Sequence, residues 1–382
     1  MSRVDYDAVV VGGGAIGAAA ALALSQAGQR VALIELNEPR AWSREVPDLR
    51  VFALAADSIE LLRSLGAWDR IATSRATAYR RMQVWDISAP DFIEFDADNF
   101  GRRELGYIVE NALIQDALWE QVRASNIRVL LGNRVVSLDG EMVQLEDGTL
   151  LRTSHVIAAD GAQSSIRSMM GVEVSGKDYS QKGLVAYIDH TASNQATCWQ
   201  RFVPSGPIAF LPVGDKRSSI VWTLPTEECD RLLAVDDEAF LRELSNVFDG
   251  PVGTLTAVSN RAAFPLRHQI ASTFLSGNVM FIGDAAHVVH PLAGQGVNLG
   301  FRDVIALRDL YASRRVSPAS LAKWARVRKS ESTVAAQSFT ALNSLFSNED
   351  VLPVLIRGKG LGLVNRIPGA SLWFWKKAAG LS

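Results

Sequence analysis

The chain has 382 residues, 48% apolar and 21% charged, a globular composition with length for two or three domains. Its net charge of −2 gives no electrostatic case for a nucleic-acid partner. The two cysteines, Cys198 and Cys229, form neither a CxxC pair nor a disulfide framework, which points to a reducing compartment.

The first segment is uncharged from Ala8 to Gln29, long enough to span a bilayer. It also holds Gly12, Gly13, Gly14 and Gly17, and it follows MSRVDYD, which lacks the basic start of a signal peptide. A buried strand, turn and helix explain it better. Ala8–Val11 is a continuous apolar run, as expected of a parallel strand covered on both faces. Gly12, Gly14 and Gly17 then satisfy G-x-G-x-x-G. The first glycine permits a tight turn, the second lets a pyrophosphate approach the backbone, and the third lets the helix lie close to the strand. A helix over Ala15–Ala27 stops at Gly28, and a second strand, Val31–Glu35, follows. Glu35 at its end can accept both hydroxyls of an adenosine ribose. FAD and NAD share that ADP half, so this motif alone does not separate them.

Further along, Arg81–Ile87, Leu184–His190, Thr197–Val203, Ile208–Val213 and Ser219–Leu224 read as strands separated by turns, an antiparallel sheet. VIAADGAQSSIR at 156–167 is an apolar strand running into Asp160-Gly161, followed by Arg167; an ordinary Asp-Gly turn is the alternative. VMFIGD at 279–284 is another buried strand, ending at Gly283-Asp284. From about Val297 an amphipathic helix begins, with Phe301, Val304, Ile305 and Leu307 on its apolar face. Its glycine-rich N-terminus suits a developing negative charge.

Asp284, His287 and His290 have a spacing that suggests a carboxylate–His–His metal site. The ligands would stand on an irregular turn with Pro291 behind, and a metal would leave the two other motifs unexplained, so the expectation is no metal. His287 and His290 are read instead as braces of the loop. No second strand–glycine–helix unit appears: GKGLG at 358–362 follows no strand. A nicotinamide reductant would therefore bind without a nucleotide domain of its own.

Taken together, Gly12/Gly14/Gly17 with Glu35, Asp160-Gly161 with Arg167, and Gly283-Asp284 resemble the three signatures of single-component FAD-dependent aromatic hydroxylases of the para-hydroxybenzoate hydroxylase fold. HPLAGQGVNLG at 290–300, closing on Asp303, is similar to the narrower signature of the ubiquinone-biosynthesis hydroxylases. So are segments 48–71, 105–121, 206–212 and 219–225, whereas the stretch after about residue 345 matches only loosely. The resemblance implies an α/β fold: a Rossmann-like FAD-binding domain with an inserted antiparallel β-sheet substrate domain and C-terminal helices. The expected division gives residues 1–75, 100–180 and 268–345 to FAD, 76–99 and 181–267 to substrate, and 346–382 to a C-terminal helical segment.

The resemblance also implies one site with two glycine-rich walls. Gly12–Gly17 and Glu35 hold the ADP end, and Asp284 reaches the ribitol. Pro291 and the turn Gly294, Gln295, Gly296, Val297 and Asn298 lie against the flavin ring. Arg50 matches the family's arginine beside the flavin, and Asn111 stands about where relatives carry Arg or Gln. The implied reaction uses NAD(P)H and O2: oxygen adds at flavin C4a and passes to an electron-rich phenol, with no protein acid or base assigned. Phe210, Leu211 and Trp222 are candidate substrate-pocket residues, with core packing the favoured role. The family's substrates are polyprenylated phenols, which implies a membrane or a lipid-delivering partner and a cytoplasmic enzyme peripheral to the inner membrane. The tail after residue 350 carries five basic and no acidic residues among apolar ones, which suits a surface helix. Ring hydroxylation at C5 is favoured, with the C1- and C6-hydroxylating enzymes, another phenol hydroxylase and a cofactor-free assembly protein as alternatives.

Overall fold

The structure is a computed structural model that describes residues 4–86, 92–289, 296–313 and 316–347, with side chains to residue 337. Its first sheet is built on continuous apolar strands. Val279–Phe281, Leu150–Ala158, Tyr6–Val11, Val31–Glu35 and Arg128–Leu131 lie parallel in that order. Val9 and Val10 are fully buried, the two-sided covering that their unbroken hydrophobicity requires. The helix Ala15–Gln26 covers the sheet and meets the helices Asn111–Ala124 and Gly296–Ala312. Its alanines, nearly all buried, permit that close approach. Gly28, at φ +83°, ends it where expected.

The second sheet has nine strands among the described residues. Its order is His287–Val288, Ala262–Ala271, Val174–His190, Arg217–Pro225, Ile208–Gly214, Thr197–Phe202, Arg81–Asp86 and Phe92–Asp96, with Leu255–Val258 also paired to Val174–His190. The strands expected from sequence are present. The sheet differs from expectation in one respect: Thr197–Phe202 and Arg81–Asp86 pair parallel, because a long excursion of chain separates them. Val174–His190 is a single strand of 17 residues crossing the expected 180/181 division, bent by a bulge between Asp178 and Lys182. Its first half pairs with Ala271–Arg267 and its second half with Pro265–Ala262. A small third sheet joins Val51–Leu54, Gly106–Glu110 and Ala76–Tyr79.

Burial follows strand parity. On the nine-stranded sheet Leu184, Ile208, Phe210, Ile220 and Trp222 share one face. They are packed under Cys229, Leu232, Phe240 and Leu244 of the helices Thr226–Ala234 and Asp237–Val247. The opposite face turns toward the small sheet and the glycine-rich loops. Among the described residues, no helix is long and apolar enough to cross a membrane.

Candidate active site

The carboxyl ends of the parallel strands and the inner face of the nine-stranded sheet enclose a cavity of about 540 Å³. Gly14, Ala15 and Ile16 line one side, Gly161 and Ala162 a second, and Gly283, Asp284, Gly296 and Val297 a third. Val185, Val221, Phe264, Pro265 and Leu266 form an apolar roof, with Arg50 and Asn111 at the edge. The two glycine stretches are walls of one site.

The glycines of the first loop differ in what they do. Gly12 has φ +99°, and a Cβ there would stand 2.4 Å from the Ala159 carbonyl oxygen. A Cβ on Gly17 would fall 1.8 Å from the Gly12 oxygen, so this residue sets the contact between helix and loop. A Cβ on Gly14 would meet nothing within 4 Å, yet Gly14 faces the cavity. Open space beside backbone at the start of a helix is the cradle that a pyrophosphate fills. Glu35 accepts from the Gly13 backbone N–H at 2.5 Å and from that of Asn37 at 3.0 Å. The carboxylate thus braces the loop it was expected to serve. The Gly13 carbonyl in turn accepts from Trp119 Nε1 at 2.7 Å and Gln115 Nε2 at 3.2 Å. Neither residue carries a local sequence signal, because both come from a helix a hundred residues away.

The second signature holds the frame more than it lines the cavity. Asp160 Oδ2 accepts from the Ile166 N–H at 3.1 Å, in the first turn of the short helix Ser165–Met169, whose N-cap is Ser164. Arg167 is buried and donates to the carbonyls of Ala285 at 2.8 Å and Ala162 at 2.7 Å, tying this turn to the third glycine segment. Only Gly161 of the three borders the cavity.

In the third segment Asp284 turns its carboxylate into the cavity, and it is exposed there rather than at the outer surface. Protein surrounds it closely enough that loss of hydration raises its pKa, while His287 and Arg50 pull it back in part. Asp303, fully buried behind the loop, accepts from the Gly283 N–H at 2.9 Å, His287 Nε2 at 2.7 Å and Arg328 Nε at 2.7 Å. Burial alone would raise its pKa, but the charges of His287 and Arg328, with the bonds from His287 and Gly283, hold it below the usual carboxylate value. His287 therefore braces the loop, as expected. The Asn298 side chain stitches two segments together. It donates to the Ala53 carbonyl at 2.8 Å and accepts from Ala55 N–H at 2.9 Å and Ser58 Oγ at 2.7 Å. His290, Pro291, Gly294 and Gln295 lie outside the described residues.

The candidate substrate residues take the core-packing role. Phe210 and Trp222 sit on the helix-covered face, Phe210 stacked on Phe248 with ring centroids 3.7 Å apart. Leu211 is on the inner face but is buried under the small sheet. Val221, one residue before Trp222, reaches the cavity instead.

This geometry defines a dinucleotide-binding protein whose cavity is roofed by a β-sheet. A family described as the FAD binding domain matches residues 5–314. The 3-demethoxyubiquinol 3-hydroxylase of Escherichia coli K12 is 33% identical over 376 residues, covering 95% of both chains. The ubiquinone hydroxylase UbiL of Rhodospirillum rubrum is 33% identical over 386 residues, covering 98% of this chain and 89% of that one. The fold is shared with the p-nitrophenol 4-monooxygenase PnpA of Pseudomonas putida DLL-E4, at TM-score 0.79 and 18% identity over 99% of each chain. It is shared also with HpxO of Klebsiella pneumoniae complexed with FAD and uric acid, at TM-score 0.75 and 19% identity over 98% of this chain and 95% of that one. The chain belongs to the family of FAD-dependent monooxygenases that contains the ubiquinone-biosynthesis hydroxylases, enzymes that take NAD(P)H and O2 as co-substrates.

Proposed function

We propose that this enzyme hydroxylates the aromatic ring of a polyprenylated phenol in ubiquinone biosynthesis, with C5 as the favoured position. The observation that carries the reading is the shape of this cavity: glycine backbone and Asp284 on one side, an apolar roof of Val185, Val221 and Phe264 on the other. The residues fit FAD. Gly14 leaves room for the pyrophosphate, Glu35 stands by the adenosine ribose, and Asp284 serves the ribitol, with Arg50 and the N-terminus of Gly296–Ala312 at the flavin ring. When bound, the flavin supplies the activation of oxygen. The chain's own contribution is to hold the cofactor, orient the phenol beneath the sheet and exclude water. Residues 1–75, 100–180 and 268–345 serve the flavin on this reading, and 76–99 with 181–267 serve the substrate.

The apolar residues of the roof favour a substrate bound largely by packing, in keeping with a lipid-tailed phenol. Such a substrate requires contact with a membrane surface or a lipid-delivering partner, a role we assign to the basic, aromatic tail after residue 350, which lies outside the described residues. Deleting the gene and identifying the accumulated quinone precursor tests the proposal. A precursor lacking the C5 hydroxyl supports it, and an unchanged quinone pool refutes it.

A further inference from the structure

The roof of the cavity contains one aromatic residue in an unusual seat. Phe264 lies in the strand Ala262–Ala271, directly across from Gly183 in the strand Val174–His190. Gly183 and Val185 are two apart and so share a face, and Val185 is paired with Val221. Phe264, Val185 and Val221 therefore stand side by side on the inner face, and all three border the cavity. A Cβ on Gly183 would lie 3.0 Å from Phe264 Cε2, 3.1 Å from its Cζ and 3.3 Å from Leu266 Cδ2. The Phe264 ring thus occupies the space that any other residue at 183 would take for its own side chain. Gly183 has no left-handed backbone to account for it. Its missing side chain serves the ring above it.

We propose that Phe264, seated on Gly183, is a specificity-determining pair that sets how large a ring substituent the bound phenol carries. The proposal rests on the reading that this cavity takes FAD and a phenol. The glycine loops and Asp284 form the polar wall, so the ring to be hydroxylated packs against the apolar one. The depth of that wall is fixed where Phe264 rests. A side chain at 183 pushes the ring by a few tenths of an ångström toward the substrate. Removing the ring opens room for a substituent of several atoms. In a hydrophobic pocket a single methylene changes selectivity by about 10- to 200-fold, so a methoxy group on the phenol is a sufficient probe.

The wild-type enzyme, Gly183→Ala and Phe264→Ala, each loaded with FAD, are titrated with 2-prenylphenol and with 2-methoxy-6-prenylphenol. Binding is read from the flavin absorbance and fluorescence, without turnover. The expected result is opposite movement of the affinity ratio. Phe264→Ala shifts it about tenfold toward the methoxylated phenol, Gly183→Ala shifts it about threefold away, and FAD affinity is unchanged in both. Phe264→Leu, with an intermediate ratio, decides the matter if the Gly183 variant fails to fold. Equal changes in the affinity of both phenols, or no flavin perturbation by either phenol in the wild type, overturn the proposal. Binding ratios as predicted, with no hydroxylated product when NAD(P)H and O2 are supplied, leave the pair's role standing and refute the hydroxylase reading instead.

Discussion

Asp303→Asn tests the charge cluster behind the cofactor loop. The carboxylate is fully buried and receives three donors: the Gly283 N–H, His287 Nε2 and Arg328 Nε. An amide keeps one acceptor oxygen and turns an NH2 toward at least one group that can only donate. Arg328, 4% exposed, is then left with the half-exposed Glu331 as its acidic partner. Removing one member of a buried ion pair costs about 3–5 kcal/mol. An unfolding entropy of about 2.1 cal/mol/K per residue over 382 residues converts this to a fall of about 4–6 °C in melting temperature for cooperative unfolding. Differential scanning fluorimetry of the apoprotein measures it. Asp189→Asn is the control, since its pair with Arg217 is equally open to water on both sides and contributes at most about 1 kcal/mol. The acid dependence has a defined sign. Asp303 has a lowered folded pKa, so its contribution is present above the unfolded value of 3.8 and is lost as pH falls through the lower folded value. The difference between parent and variant should therefore shrink only in strong acid. A variant melting within about 1 °C of the parent would show that the cluster contributes no net stability.

Asp284→Ala should weaken FAD binding by about 10- to 150-fold, the loss of one charge-assisted hydrogen bond of about 1.5–3 kcal/mol, measured by fluorescence titration of the apoprotein; unchanged affinity refutes its assignment to the ribitol. Because the folded pKa of Asp284 is raised, its ionisation costs stability as pH rises above 3.8, so Asp284→Asn should raise the melting temperature of the apoprotein at neutral pH and lose that advantage in acid. Dialysis against EDTA should leave NAD(P)H-dependent hydroxylation intact; loss of activity restored by ferrous iron would favour the Asp284/His287/His290 metal reading. Truncation before Leu352 should preserve flavin content while reducing co-sedimentation with anionic liposomes, most at low salt; loss of FAD would make the tail a structural element instead.

The nucleotide-binding half was legible because its rules are local. A two-faced apolar strand, three glycines at fixed spacing and an acid at the next strand end all follow from contacts within about thirty residues of chain. What escaped lies across the fold. Trp119 and Gln115 hold the Gly13 carbonyl from a distant helix, and nothing at either position marks that task. Asn298 and Arg167 carry the residue types of a cofactor contact, yet their side-chain hydrogen bonds go to other protein segments. In the roof, alternation revealed the strands but not their outward side. The faces are told apart by the helices Thr226–Ala234 and Asp237–Val247, which cover Trp222 and leave Val221 to the cavity. A large aromatic is a natural guess for a pocket wall, and here its size instead fills the core beneath those helices.

On the proposed function, a flavin held in this cavity delivers oxygen from O2 to a prenylated phenol. The direct measurement supplies the FAD-loaded enzyme with NAD(P)H, a short-chain prenylphenol and ¹⁸O₂, and weighs the product by mass spectrometry. The expected product carries one ¹⁸O atom, as a new hydroxyl on the aromatic ring. Oxygen drawn from water, or oxidation of NAD(P)H with no oxygenated phenol at all, would contradict that function.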